Sequence, residues 1–269
     1  MIAAGAGGLF SACSPRRQEQ GAANGTINRE LANLGPMMRL AYRHRKAFRL
    51  LLVERLKETA PRGGFFEEEQ YKAVHRHLPV DLQVVAAIAY RFGWRARSEI
   101  LPLERRHLDL EHGTLTLDPG MTKNDDARKV YLTPDLKVAL TEQLGRVDHL
   151  QRELAKRSGV ARIVPYLFPR LTGKRAGTPR RAFYKAWRTA CRKAGVPGML
   201  AHDFRRTAVR NMERSSVPRS VAMKLTAHRI EAVYRRYAIV SDADFRDASA
   251  KLAGTITGQS TRRRSERVV

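Results

Sequence analysis

Four side chains between residues 202 and 237 could do chemistry together: His202, Arg205, His228 and Tyr237. His202 and Arg205 are three residues apart, and Tyr237 follows His228 by nine. An arginine presents a planar fork that grips two phosphate oxygens. A histidine exchanges protons near neutral pH. A tyrosine oxygen is a nucleophile, but its pKa of about 10 means it needs help to lose its proton. Together they describe a phosphate-handling site that needs no metal. No third Cys, His or acid stands at ligand spacing beside the two histidines, so no metal site is expected. Each residue also has a plain structural reading. An H-x-x-R pair is common on helix surfaces, and Tyr237 could be a half-buried aromatic. Tyr234 lies close enough to compete with it.

Such a site needs elements that bring these residues together. Apolar spacing predicts helices over 67–78 (EEEQYKAVHRHL) and 80–94 (VDLQVVAAIAYRFGW), the second apolar on most faces. Another helix is expected to start in 98–103. Helices are further predicted from Pro134 to about Lys156 and from Pro179 to about Lys193, then over 203–214, 218–226 and 231–238. Residues 114–118 and 130–132 alternate, with the turn-rich TKNDDAR between them, so a β-hairpin is predicted, with a third strand nearby. Ahead of these, residues 24–62 read as a partial helical domain and linker, with Asn24 or Thr26 as cap of its helix, Gly35–Pro36 as a break or kink and a second apolar patch at 48–56. Residues 1–23 show no period and read as loop or disorder, and the basic tail 254–269 reads as flexible.

The chain carries 51 Lys and Arg against 26 Asp and Glu, a formal charge of +25. A polyanion is the partner that neutralises such an excess, and nucleic acid leads that class. Between Leu154 and His202 stand twelve Lys or Arg and no acid, interleaved with Phe183, Tyr184 and Trp187. Arg170, Lys174, Arg175, Arg180, Arg181 and Lys185 within it are the expected contacts to a nucleic-acid backbone. No apolar run approaches the roughly 18 residues of a membrane span. The start, MIAAGAGGLFSAC, lacks a basic stretch ahead of it and is not read as a signal peptide. Cys13 and Cys191 imply no disulfide framework, which fits a reducing cytoplasm.

Four motifs in one order then carry a resemblance: GWRARSEIL, TKNDDARKVYL, HDFRRTAVRNM and LTAHRIEAVYRRYAIVS. In this order the sequence resembles the tyrosine recombinases, the family of phage integrases and site-specific DNA recombinases. The resemblance is strong over about 65–247. It implies a mainly α fold with a small antiparallel hairpin or sheet and a catalytic domain over 65–250. It implies cleavage and rejoining of double-stranded DNA through a 3′-phosphotyrosyl link. Tyr237, in YAIVS, takes the nucleophile's position ahead of Tyr234. Arg95, Arg205 and His228 fall at the phosphate, His202 at proton transfer, and Lys123 at protonation of the leaving 5′ oxygen. No cofactor is implied, because the phosphotyrosyl bond conserves the energy of the bond it replaces. Family members act as homotetramers on two DNA sites and often pass a C-terminal segment to a neighbour; residues 242–254 would serve. A nucleoid-associated location follows.

The chain departs from the family pattern at several points. One extra residue separates Gly93 from Glu99, so the first arginine is Arg95 counted from the glycine. Counted from the acid, the slot is Ala96, and Arg97 is the alternative. Ala227 stands where a glycine usually precedes the second histidine, which predicts strain if φ is positive. Arg105 replaces a common tryptophan, which is expected to weaken the core. Residues 24–62 offer room for only part of the helical core-binding domain, so the chain reads as truncated at its start. Two other readings are kept: a DNA-binding remnant without full activity, and type IB topoisomerase-like relaxation of DNA.

Overall fold

The chain divides into two compact units, Met1–Gly63 and Gly64–Val269. The computed structural model describes residues 14–50, 54–58, 64–122, 125–235, 237, 245–246, 249–250 and 252–253. Lys123, residues 1–13 with Cys13, much of 242–254 and the tail 254–269 lie outside them.

The first unit is built on one long helix, α1 (Asn24–Arg43). Ile27 and Leu31 are its buried apolar residues, one turn apart, and Asn28 is buried beside them. The Asn28 amide works like a short strand. Its Nδ2 donates to Leu56 O and its Oδ1 accepts the Leu56 N–H, both at 2.8 Å. Neither expected cap forms: Ala23 is the N-cap, and Asn24 donates instead to Lys57 O at 2.8 Å. The helix also runs through Pro36, where the sequence predicts a break. Ala32 and Pro36 are both exposed, so water can serve the carbonyl that Pro36 cannot bond. Residues 14–19, inside the stretch read as loop or disorder, form a short helix.

The second unit begins with α2 (Glu68–Arg76), which Glu67 and Gln70 close with a capping box. Next comes α3 (Val80–Phe92), the central helix, apolar almost all round, with Leu82, Val85, Ala86 and Ile88 fully buried. Its nearest neighbour is α6 (Asp203–Arg214). Where a further helix is expected near 98–103, the chain makes a single π turn, Ala96–Ile100. Three strands follow, β1 (Leu108–Asp109), β2 (Thr114–Leu117) and β3 (Arg128–Tyr131), as an antiparallel meander in the order β1-β2-β3. Leu115 pairs with Val130, and Leu117 with Arg128. The third strand nearby is therefore β1.

Three more helices lie on this framework: α4 (Pro134–Ser158), α5 (Tyr184–Lys193) and α7 (Arg219–Thr226), followed by the short α8 (Glu231–Arg235). α5 starts five residues later than Pro179 suggested, because Pro179 bridges Pro169 and Arg180 reaches Asp81, keeping the chain extended. Phe66, Trp187 and Phe204 form an aromatic cluster at the heart of the core, with centroids 4.8–5.7 Å apart. Arg105 does not leave a gap where a tryptophan was expected; its Nη1 lies 2.7 Å from Asp148 Oδ1 on α4. Arg210 ties the start of the unit to α6 by bonding both Glu67 oxygens and Phe66 O. Among the described residues, no helix is long and apolar enough to cross a membrane.

Candidate active site

Arg205 is the floor of the site. It lies on α6, 3% exposed, and its guanidinium is held from three directions. Nη1 donates to Gly93 O at 3.0 Å, Nη2 to Thr226 O, and Nε to His228 Nε2 at 3.3 Å. An arginine has five N–H donors, so these bonds leave two for a ligand. Burial first, and then the neighbouring charge of Arg95, pull its pKa down to about 10, so it stays charged at neutral pH. Gly93 makes the arrangement possible. It caps α3 with φ of 67°, and a Cβ there would stand 3.3 Å from Ala208 Cβ and 3.4 Å from Arg205 Cα.

His228 is buried and serves Arg205. Its Nδ1 is 2.7 Å from Thr226 Oγ1, and that hydroxyl donates to Ala222 O at 2.7 Å. The Thr226 proton is thus spent, so Nδ1 carries the imidazole proton and Nε2 accepts from Arg205. Burial, then the charges of Arg205 and Arg95, hold the His228 pKa down to about 3, which keeps the ring neutral. The turn before it has Ala227 at φ 53° and ψ 48°, the left-handed conformation that the missing glycine predicts.

The π turn explains the extra residue between Gly93 and Glu99. Ile100 N–H bonds Arg95 O, and Leu101 N–H bonds Ala96 O, each reaching back five residues instead of four. The insertion is absorbed there, and Arg95 still meets the acid. Glu99 is fully buried. Its Oε2 accepts the Arg95 N–H at 2.7 Å and its Oε1 accepts Arg95 Nη1 at 2.7 Å. Burial raises the Glu99 pKa, but the Arg95 backbone bond and the Arg128 charge outweigh it and leave the pKa lowered. Arg97 is exposed and makes no contact with Glu99 among those seen for Arg95 and Arg128.

Arg128, at the start of β3, was not singled out from the sequence. Its side chain is 4% exposed, its Nη2 lies 2.7 Å from Glu99 Oε1, and its guanidinium sits 5.3 Å from the Trp94 ring centre. None of its guanidinium nitrogens has a well-aligned hydrogen bond. The signal was available: Arg128 is in phase with Val130, so it occupies an inward strand position. Arg95 and Arg128 thus share one buried carboxylate, whose charge also acts on the Arg205 guanidinium. The excess positive charge suits an anion.

Above this floor lies the rim. His202 immediately precedes α6 and is open to solvent on one side. Crowding on the other side, then Arg205 and Arg95, lower its pKa. The Tyr237 ring centre is 4.9 Å from that of His228 and 6.4 Å from that of His202, and the Arg206 guanidinium lies 5.9 Å from it. Tyr234 is placed differently. It is fully buried in a small cluster with Ala208, Val209, Met212 and Ala222. Burial, then the nearby Glu213 carboxylate, push its hydroxyl pKa up.

A cleft of about 560 Å³ opens beside the floor and is lined by Arg95, Arg97, Arg181, Tyr184, His202 and Arg205, among others. It joins the site to the basic stretch. Lys174, Arg175, Arg181 and Lys185 are exposed and Arg170 half-buried. Arg180 is committed inward, its Nη2 2.6 Å from the buried Asp81 carboxylate.

A mainly helical unit with a three-stranded meander, and with arginines and histidines gathered beside a tyrosine, has the fold of a tyrosine recombinase catalytic domain. The phage integrase family matches residues 65–244, and the chain belongs to that family. Among solved structures it resembles the Tn1549 transposon integrase in complex with circular intermediate DNA, at 16% identity and a TM-score of 0.67, over 89% of this chain and 84% of that one. It also resembles a lambda integrase dimer bound to a COC′ core site, at 13% identity and a TM-score of 0.58, over 86% and 78%. XerA recombinase matches at 17% identity and a TM-score of 0.54, over 70% of this chain and 64% of that one. At these identities the likeness is one of fold. No curated protein matches.

Proposed function

We propose that the chain is a site-specific DNA recombinase that cuts and rejoins double-stranded DNA through a 3′-phosphotyrosyl intermediate. The observation that carries this reading is the meeting of Arg205, His228, His202 and Tyr237 from α6, the turn after α7 and the residues after α8. Tyr237 Oη attacks the scissile phosphorus and the bond to the 5′ oxygen breaks. His202 takes part in proton transfer, and Lys123 gives a proton to the departing oxygen. Arg95 and the two remaining N–H groups of Arg205 neutralise the charge that grows on the phosphate. His228 orients Arg205 and packs under Tyr237. One P–O bond replaces another, so the reverse attack by a 5′ hydroxyl rejoins the strand. Arg170, Lys174, Arg175, Arg181 and Lys185 carry the DNA backbone away from the site, with Arg180 bracing them from Asp81. Four protomers on two DNA sites would complete an exchange.

The test is a pool of nicked duplexes of random sequence, incubated with the protein and then denatured. A nick just downstream of the cut lets the short fragment that carries the new 5′ hydroxyl escape, which traps the covalent product. An adduct enriched for one sequence, absent from Tyr237→Phe, is expected. Adducts without sequence preference, together with relaxation of supercoiled plasmid, would favour a topoisomerase. No adduct would contradict the proposal.

A further inference from the structure

One chain of hydrogen bonds runs from Arg205 into α7, and its direction is fixed at both ends. Arginine has no acceptor, so Arg205 Nε donates to His228 Nε2 at 3.3 Å. A neutral imidazole that accepts on Nε2 carries its proton on Nδ1. Nδ1 lies 2.7 Å from Thr226 Oγ1, and that hydroxyl donates onward to Ala222 O at 2.7 Å. Thr226 also acts on Arg205 directly, because its backbone O accepts from Nη2. One buried residue at the end of α7 thus stands behind two of the three anchors of the guanidinium.

The other tautomer would set His228 Nε2–H against Arg205 Nε–H, two donors face to face. Burial and the Arg205 charge keep the ring neutral, so one nitrogen must go without a proton, and the hydroxyl decides which. A threonine hydroxyl that only bonded back to its own helix would be dispensable, since valine has nearly the same shape. We propose that Thr226 is a positioning residue. Its hydroxyl holds His228 in the Nδ1–H tautomer and so keeps Arg205 aimed, with its two remaining N–H groups toward the phosphate. The inference rests on the recombinase reading above.

Two variants separate the hydroxyl from the shape. Thr226→Val keeps the branched shape and the backbone O but removes the hydroxyl. Thr226→Ser keeps the hydroxyl but removes the methyl, which packs 3.4 Å from where a Cβ on Gly93 would stand. The probe is the nicked duplex recovered from the random pool. Thr226→Val should slow adduct formation by on the order of 10-fold, the cost of one buried donor left unpaired. Thr226→Ser should recover most of that loss. A packing role predicts the reverse order. A valine variant as fast as the wild type, or a serine variant as slow as valine, would therefore overturn the inference. A second readout holds even if Thr226→Val fails to fold. Heteronuclear NMR of the wild-type imidazole nitrogens should show His228 with a protonated Nδ1 and a bare Nε2. A protonated Nε2 would overturn the inference while leaving the recombinase reading intact. No adduct from the wild-type protein would remove the recombinase reading itself, and this role with it.

Discussion

Arg205 and Tyr237 face the same space under opposite conditions. The arginine is buried, and two backbone carbonyls and a histidine hold it. The tyrosine is half-buried, just beyond the five-residue helix α8, and is positioned by ring contacts with His202 and His228. The floor is assembled before any ligand arrives, and its desolvation is already met by folding. Under the proposed reaction, in which the site attacks, releases and attacks again, this division keeps charge neutralisation fixed through every step.

The contrast can be broken at the floor first. Arg205→Lys keeps the charge but loses the planar fork that spans Gly93 O, Thr226 O and His228. Adduct formation should fall by about 10²- to 10³-fold, the usual cost of a lost oxyanion donor. A loss under about fivefold would show that the three anchors do not matter. Gly93→Ala comes next. The left-handed φ of 67° and the close Ala208 and Arg205 neighbours should together cost about 2 kcal/mol or more in a denaturant titration. The smallest effect has the opposite sign. Ala227→Gly relieves the left-handed strain at φ 53° and should stabilise the fold by about 0.5 kcal/mol, net of the added freedom of the unfolded chain.

The sequence exposed the polar side chains of the site better than the groups that hold them. His202, Arg205, His228 and Tyr237 were readable because their spacing on neighbouring helices is local. So was the left-handed turn at Ala227, since a missing glycine is visible in one dimension. The partners of Arg205 were not, because Gly93 O and Thr226 O act through the backbone and meet it only after folding. Arg128 was passed over because charged residues near hairpin tips usually point to water, whereas this one faces inward. The elements followed periodicity closely from α2 to α4 and over α6 and α7. They departed where one tertiary contact governs, as at the π turn held by Glu99 and at the late start of α5 beside the Asp81–Arg180 pair.

One measurement decides directly between Tyr237 and Tyr234 as the nucleophile. Trypsin separates the two residues, leaving Tyr234 in IEAVYR and Tyr237 in YAIVSDADFR. After the trapped adduct is digested with trypsin and nuclease, mass spectrometry should find the nucleotide remnant on YAIVSDADFR alone. A remnant on IEAVYR would mean that the buried tyrosine reacts, and would contradict the division between a fixed floor and a working rim.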